Sequence, residues 1–209
     1  MRGQTFQILL KGDSVMAKHF MELAFNDSVR KVQEQYGTRA PYQKMEGKEE
    51  FRNKLTWQEK SYIKNRDNFY MSSVGENGWP YMQFRGGPKG FLKVIGENVL
   101  AYADFKGNGQ YISTGNINAT RKTVLFLMDY TQQQRLKIWA EAEVHHAADH
   151  PEMLEKLEMP DYEATVERIV IFKTHAFDWN CPQHITPRYT KEEIEKGLIK
   201  LDQELIETV

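Results

Sequence analysis

The chain has 209 residues. That length suits one domain with extensions, and it buries roughly 70% of its unfolded surface without needing disulfides or a metal. Its 28 Lys and Arg nearly cancel 29 Asp and Glu, which argues against a protein that coats nucleic acid or an anionic membrane. One cysteine, Cys181, excludes an internal disulfide framework and any four-thiolate metal site, and it suits a reducing, cytoplasmic setting. Apolar runs such as Val124 to Met128 are strand-length, far short of the ~20 residues that span a bilayer. Residues 1–15 precede a second possible start at Met16 and are expected to be a leader or extension. A single domain would then occupy 16–209.

In chain order, apolar residues at helical spacing (Phe20, Leu23, Ala24, Val29, Val32) predict a helix over 17–35. Residues 36–54, with Gly37, Pro41 and Gly47, read as a surface connection. Thr56-Trp57-Gln58-Glu59 is a capping box that opens a helix over 57–66. Strands are expected at Phe69 to Val74 and Pro80 to Arg85, joined by turn chemistry at Asn77-Gly78. A Gly-rich loop over 86–90 leads to a second hairpin, Phe91 to Ile95 and Val99 to Ala103. A helix over 109–119, two long strands (Lys122 to Asp129 and Leu136 to His146) and a second capping box at Asp149-His150-Pro151-Glu152 follow. A short helix to Leu157, a strand over 165–178 and a third box at Thr190-Lys191-Glu192-Glu193 complete the series. That last box opens a terminal helix to about Glu207, with Ile194, Leu198, Leu201 and Leu205 on one stripe. Six or seven strands in hairpin order, with connections mostly too short for parallel crossovers, predict a mainly β, α+β fold: an antiparallel barrel with peripheral helices.

Three polar blocks stand out. Arg85-Gly86-Gly87-Pro88-Lys89-Gly90 sets backbone N–H groups that a ligand can approach closely beside two cations. Tyr102 to Tyr111 ends a strand in Gly107-Asn108-Gly109, beside Lys106 and ahead of a helix N-terminus, a pattern suited to phosphate. Phe177 to Tyr189 holds Trp179, Asn180, Gln183, His184 and Arg188 around two stiffening prolines, which suits recognition of a planar polar ring. Each block alone also fits an ordinary structural role. His145 and His146 fall on opposite faces of a strand, so with His150 they read as structural or solvated, and no metal is expected. A Cys181–His184 nucleophilic pair is disfavoured because sequence proximity sets no thiolate geometry.

Taken in order, Gln83 to Val94, Ala103 to Ser113 and Asp178 to Tyr189 resemble the pyridoxamine 5′-phosphate oxidase-like, FMN-binding split-barrel family. The likeness is closest to its broad oxidase-related subgroup. The resemblance implies a six-stranded Greek-key split barrel and a homodimer with FMN in a groove shared by both subunits. By position, it implies that Gln83, Arg85 and Gly86 lie along the flavin and that Lys93 stands in for a strand-end lysine. Ala103, Asp104, Lys106, Asn108 and Gln110 would form the phosphate turn. Trp139, Trp179, Asn180, Gln183 and His184 would close the pocket, with His184 and Arg188 as candidate substrate contacts.

The chain departs from true pyridoxamine phosphate oxidases at Gly107-Asn108-Gly109, where those enzymes carry Ser-Arg-Lys, and in lacking their C-terminal Arg-x-His motif. The reading is therefore an oxidoreductase that acts on an unidentified small molecule through flavin N5. The alternatives are a non-catalytic flavin, deazaflavin or haem binder that senses or stores, and a barrel used only for protein interaction.

Overall fold

The computed structural model describes residues 20–46, 54–159 and 161–195. Its helices are α1 (Phe20–Ala24), α2 (Asp27–Gln35), α3 (Arg39–Glu46), α4 (Trp57–Lys64), α5 (Ile112–Thr120), α6 (Pro151–Leu157) and α7 (Lys191–Glu195). The strands are β1 (Asn68–Val74), β2 (Pro80–Gly86), β3 (Lys93–Val94), β4 (Val99–Phe105), β5 (Lys122–Asp129), β6 (Gln134–His146) and β7 (Val166–Trp179). No described helix is long and apolar enough to cross a membrane. The expected leader and the far half of the terminal helix, including Leu198, Leu201 and Leu205, lie outside the described residues.

Four local expectations need correction. The helix expected over 17–35 is broken at Asn26, whose side chain accepts the Val29 N–H at 3.0 Å and starts α2 afresh. The connection over 36–54 contains α3, where Pro41 occupies the first turn and its missing N–H costs nothing. Arg39 clamps that helix with two hydrogen bonds to the Glu46 carboxylate, at 2.9 and 2.6 Å. The box at Asp149 does not form. Residues Ala147–Asp149 wind as a 3₁₀ turn, and His150 stands at the cap without a side-chain bond. Of the strand expected over 91–95 only Lys93–Val94 pairs, because Phe91 and Leu92 turn into the core instead. The boxes at Thr56 and Thr190 both form.

All seven strands join one antiparallel sheet in the order β2-β1-β5-β6-β7-β4-β3. In a flat sheet β1 and β4 would stand four strand spacings apart, about 19 Å. Yet the Phe69 ring of β1 lies 5.5 Å from Tyr102 of β4, and Phe91 touches both, at 5.6 and 6.0 Å. The sheet is therefore curled into a barrel. Its edges meet through side chains, with no ladder from β2 to β3 or β4 among the described residues: a split barrel. Gly87 permits this closure, since a Cβ there would come within 2.8 Å of the Phe91 ring.

Inward residues alternate along the strands: Phe69 and Met71 on β1, Leu125 and Leu127 on β5, Leu136 and Ile138 on β6. On β7, residues 169–172 are buried in an unbroken run, because α6 covers the outer face there through Met153 and Leu157 against Ala101, Ala103, Ile169 and Ile171. The outer face of β2 has no such cover, and Met82 and Phe84 stay 65% and 56% exposed.

Candidate functional site

At the seam the chain places Asp104, whose carboxylate is almost wholly buried, between two arginines. Arg85 reaches it from β2 with Nη1 at 3.2 Å. Arg168 of β7 donates Nε to Oδ2 at 2.9 Å, and its Nη2 pairs ionically with the same oxygen at 2.8 Å. A register shift in the β4–β7 ladder between Asp104 and Phe105 falls at the same point, the kind of bulge that re-aims a side chain. Burial alone lowers the basicity of Arg168. Hydrogen bonding and attraction from Asp104, with Glu167 adding, outweigh that and leave it above its ordinary value, so it stays charged.

These groups back a pocket of about 190 Å³, lined on β2 by Gln83 and Arg85 and on β7 by Arg168. The turn after β4 and the start of α5 supply the rest, among them Asn108, Tyr111 and Ser113. Two guanidinium groups reach the lining and no carboxylate does. The N–H of Lys106 goes to Thr165 and that of Gln110 to the Asn108 side chain, while the amides of 107–109 between them have no acceptor among the described residues. Ser113 Oγ, in the first turn of α5, donates to Gln83 Oε1 at 2.8 Å. Arg85 Nε is buried without a partner. Tyr111 holds the uncommon left-handed backbone, φ 51°, and its ring lies 4.8 Å below the Arg168 guanidinium. Fixed cations and uncommitted amides around a small cavity make a site for a compact oxyanion, above all a phosphate.

Of the residues singled out in the sequence, Gln83, Arg85 and Asn108 line this pocket and Asp104 supports it from behind. Gly86 ends β2 opposite Asn68, and Lys106 and Gln110 are exposed on the turn. Ala103 faces the other way, into the cluster under α6. Lys93 lies in a different depression and donates Nζ to the Glu158 carbonyl at 3.3 Å. Trp139 sits on the outer face of β6, stacked on Phe20 at 6.1 Å. Phe105, Tyr111 and Ser113, within the quoted blocks but not named as site residues, also line the pocket, as do Thr114 and Arg168, which lie outside every block. For Arg168 the only signal is its register opposite Asp104, which pairing reveals and sequence does not.

The tail block is elsewhere. Arg168 and Trp179 stand at opposite ends of β7, with about 36 Å of extended strand between them. Trp179 donates Nε1–H to Glu59 at 2.8 Å and meets the Tyr62 ring edge-on at 4.7 Å. Beyond it the chain is tied to the β5–β6 hairpin: Asn180 N–H to the Arg135 carbonyl, Arg135 to the Cys181 carbonyl, Gln133 to the Ile185 carbonyl. Arg188 lies over the Tyr130 ring at 4.8 Å. Gln183 and His184 are exposed, and no hydrogen bond joins Cys181 to His184. His145 faces Glu143 at 3.5 Å and His150 edge-on at 5.1 Å. Among the described residues no group of three or more His, Cys, Asp or Glu is placed to hold a metal.

No protein-family model and no curated protein sequence matches the chain. Among solved structures it is similar to HupZ of Group A Streptococcus (14% identity, TM-score 0.47, covering 60% of this chain and 99% of that one). It is similar also to an FMN-binding protein of Syntrophomonas wolfei (18%, TM-score 0.45, 74% and 96%). A third is a Clostridium acetobutylicum protein related to general stress protein 26, of the pyridoxinephosphate oxidase family (14%, TM-score 0.41, 66% and 94%).

Proposed function

We propose that the seam pocket holds the phosphate of FMN and that the chain is a flavoprotein of the pyridoxamine 5′-phosphate oxidase-like class. It acts as an oxidoreductase on a small molecule. The observation that carries this reading is the pair of guanidinium groups, Arg85 and Arg168, facing the free amides of 107–109 across one small cavity. A phosphate monoester needs such a set: charge-assisted donors from fixed forks and oriented backbone N–H groups. The motif resemblance independently puts the phosphate turn at the same residues. Bound flavin supplies hydride or electron transfer at its N5.

The cavity is too small for a whole flavin, since pockets that enclose a cofactor-sized molecule run to roughly 300–1,000 Å³. The ring system needs further walls. The exposed apolar side chains of β2, Met82 and Phe84, lie on the opposite face of the strand from Gln83 and Arg85 and suit burial against a second copy. A homodimer in which each copy completes the other's site follows. In it the tail of one copy, through the exposed Gln183 and His184, serves the pocket of its partner. One observation favours a second reading, flavin holding without turnover: the pocket lining contains no carboxylate or imidazole to act as general acid or base.

Mass spectrometry of the ligand released from the denatured chain tests both, and riboflavin 5′-phosphate is expected. A colourless monomer that takes up none overturns them. Bleaching of the bound flavin by NADH or NADPH, with recovery in air, separates turnover from storage. Arg85→Ala is expected to weaken flavin retention by about 2–5 kcal/mol, because the anion loses a desolvated partner. The fold should persist, since Asp104 keeps its hydrogen bond and ion pair with Arg168.

A further inference from the structure

A second depression, of about 430 Å³, is lined by Lys60 and Lys64 from α4, Lys89 and Gly90 from the loop after β2, Leu92, Lys93 and Val94 from β3 and its approach, and Met159. Four lysines share it, and no acidic side chain lines it. None of the four belongs to an ion pair among the described residues. Lys93 is steadied only by a backbone carbonyl, that of Glu158. In a chain whose charges nearly cancel overall, this concentration is local and selective.

The arrangement opposes what stability alone would choose. Lys60 and Lys64 are one helical turn apart, where like charges repel. The negative end of the α4 dipole accounts for Lys64, but not for Lys60, Lys89 or Lys93. The loop is brought in deliberately close. Gly90 has φ 84°, donates its N–H to the Arg66 carbonyl at 2.9 Å, and would carry a Cβ only 3.2 Å from the Lys64 carbonyl. A glycine there seats Lys89 beside the end of α4. The floor, in contrast, is apolar: Leu92 is buried to 1% exposure and Val94 and Met159 join it.

We infer that this depression is a second ligand site, separate from the seam pocket, for a phosphorylated organic molecule. Its phosphate groups are held by the lysines and its apolar or aromatic body lies over Leu92, Val94 and Met159. Its volume falls within the range that encloses a small molecule, which the seam pocket's does not. Lysine ammoniums bind as compact point charges that rotate to suit, so several phosphate esters would share the site.

Isothermal titration calorimetry on the full-length chain, with adenosine diphosphate, adenosine and inorganic pyrophosphate as probes, tests this. The diphosphate is expected to bind once per chain and to weaken as salt rises. Pyrophosphate should bind more weakly and adenosine not detectably. Lys60→Gln with Lys93→Gln is expected to weaken the diphosphate about tenfold or more, while Arg85→Ala leaves it unchanged. The inference is overturned if neither anion binds at millimolar concentration. It is also overturned if the lysine substitutions have no effect, or if Arg85→Ala abolishes the heat, which would move the ligand to the seam. Because Arg85→Ala is the variant that strips flavin, failure of the flavin reading and failure of this one give different patterns. Both lysines are solvent-accessible, so the doubly substituted chain retains its fold, and thermal unfolding checks that directly.

Discussion

The two ends of β7 carry polar clusters of similar composition and opposite character. At Arg168 the strand contributes to a set of donors with capacity to spare: amides without acceptors, a buried arginine nitrogen without a partner, and a cavity in front of them. At Trp179 the indole N–H, the Asn180 amide and the carbonyls of Cys181, Ile185 and Arg188 are all taken up within the same chain. Polar residues packed densely along a sequence thus have two fates. Where the fold satisfies them they are architecture, and where it leaves them unsatisfied around a space they are a site.

The sharpest way to break the contrast is to remove the charge on which the seam depends. Asp104→Ala leaves two largely buried guanidinium groups facing each other, and losing one partner of such a cluster typically costs about 3–5 kcal/mol. Urea unfolding should show that loss. A cost below about 1 kcal/mol would mean that water already compensates the arginines and that the seam is wetter than its geometry implies.

At the other end Glu59 plays the corresponding part, and the effect should be smaller. Burial pushes its carboxyl upward. Hydrogen bonds from the Thr56 hydroxyl and backbone, and from Trp179, outweigh burial and hold it below its ordinary value of 4.5. A carboxyl depressed in the folded state contributes stability that is complete above its unfolded pKa and lost as pH falls through its folded one. Stability should therefore decline on acidification below about pH 4.5. Glu59→Gln should flatten that part of the profile. Glu59→Ala should cost about 2 kcal/mol near neutrality, from the lost capping box and the orphaned indole N–H. An unchanged acid limb in Glu59→Gln would assign the titration to another carboxylate.

How much of this was legible beforehand follows the range of each interaction. Capping boxes at Thr56 and Thr190 act over three residues and were readable; the one at Asp149 failed because a 3₁₀ turn shifted the cap by one position. Hairpin order and short connections pointed to the antiparallel barrel. The turn at Gly107-Asn108-Gly109 was legible because glycines ahead of a helix have a local meaning, and so were Gln83 and Arg85. Arg168 was not, because its role comes from lying opposite Asp104 across 64 residues of chain. Nor was the separation of Lys93 from the seam, which depends on Phe91 and Leu92 turning inward rather than pairing.

The smallest effect is also the most discriminating. His184 is exposed and makes no hydrogen bond among the described residues, though its backbone sits at φ 62°. His184→Ala should therefore change unfolding free energy by no more than about 0.5 kcal/mol. Unlike that of Trp179, its side chain is open to something beyond its own subunit. In a dimer whose tails close each other's seams, the loss of one such contact, worth about 1 kcal/mol, speeds flavin release several-fold while stability stays level. Release measured by fluorescence recovery at fixed protein concentration reads that directly. An unaltered rate confines the tail to its own barrel and leaves the missing wall to another part of the partner.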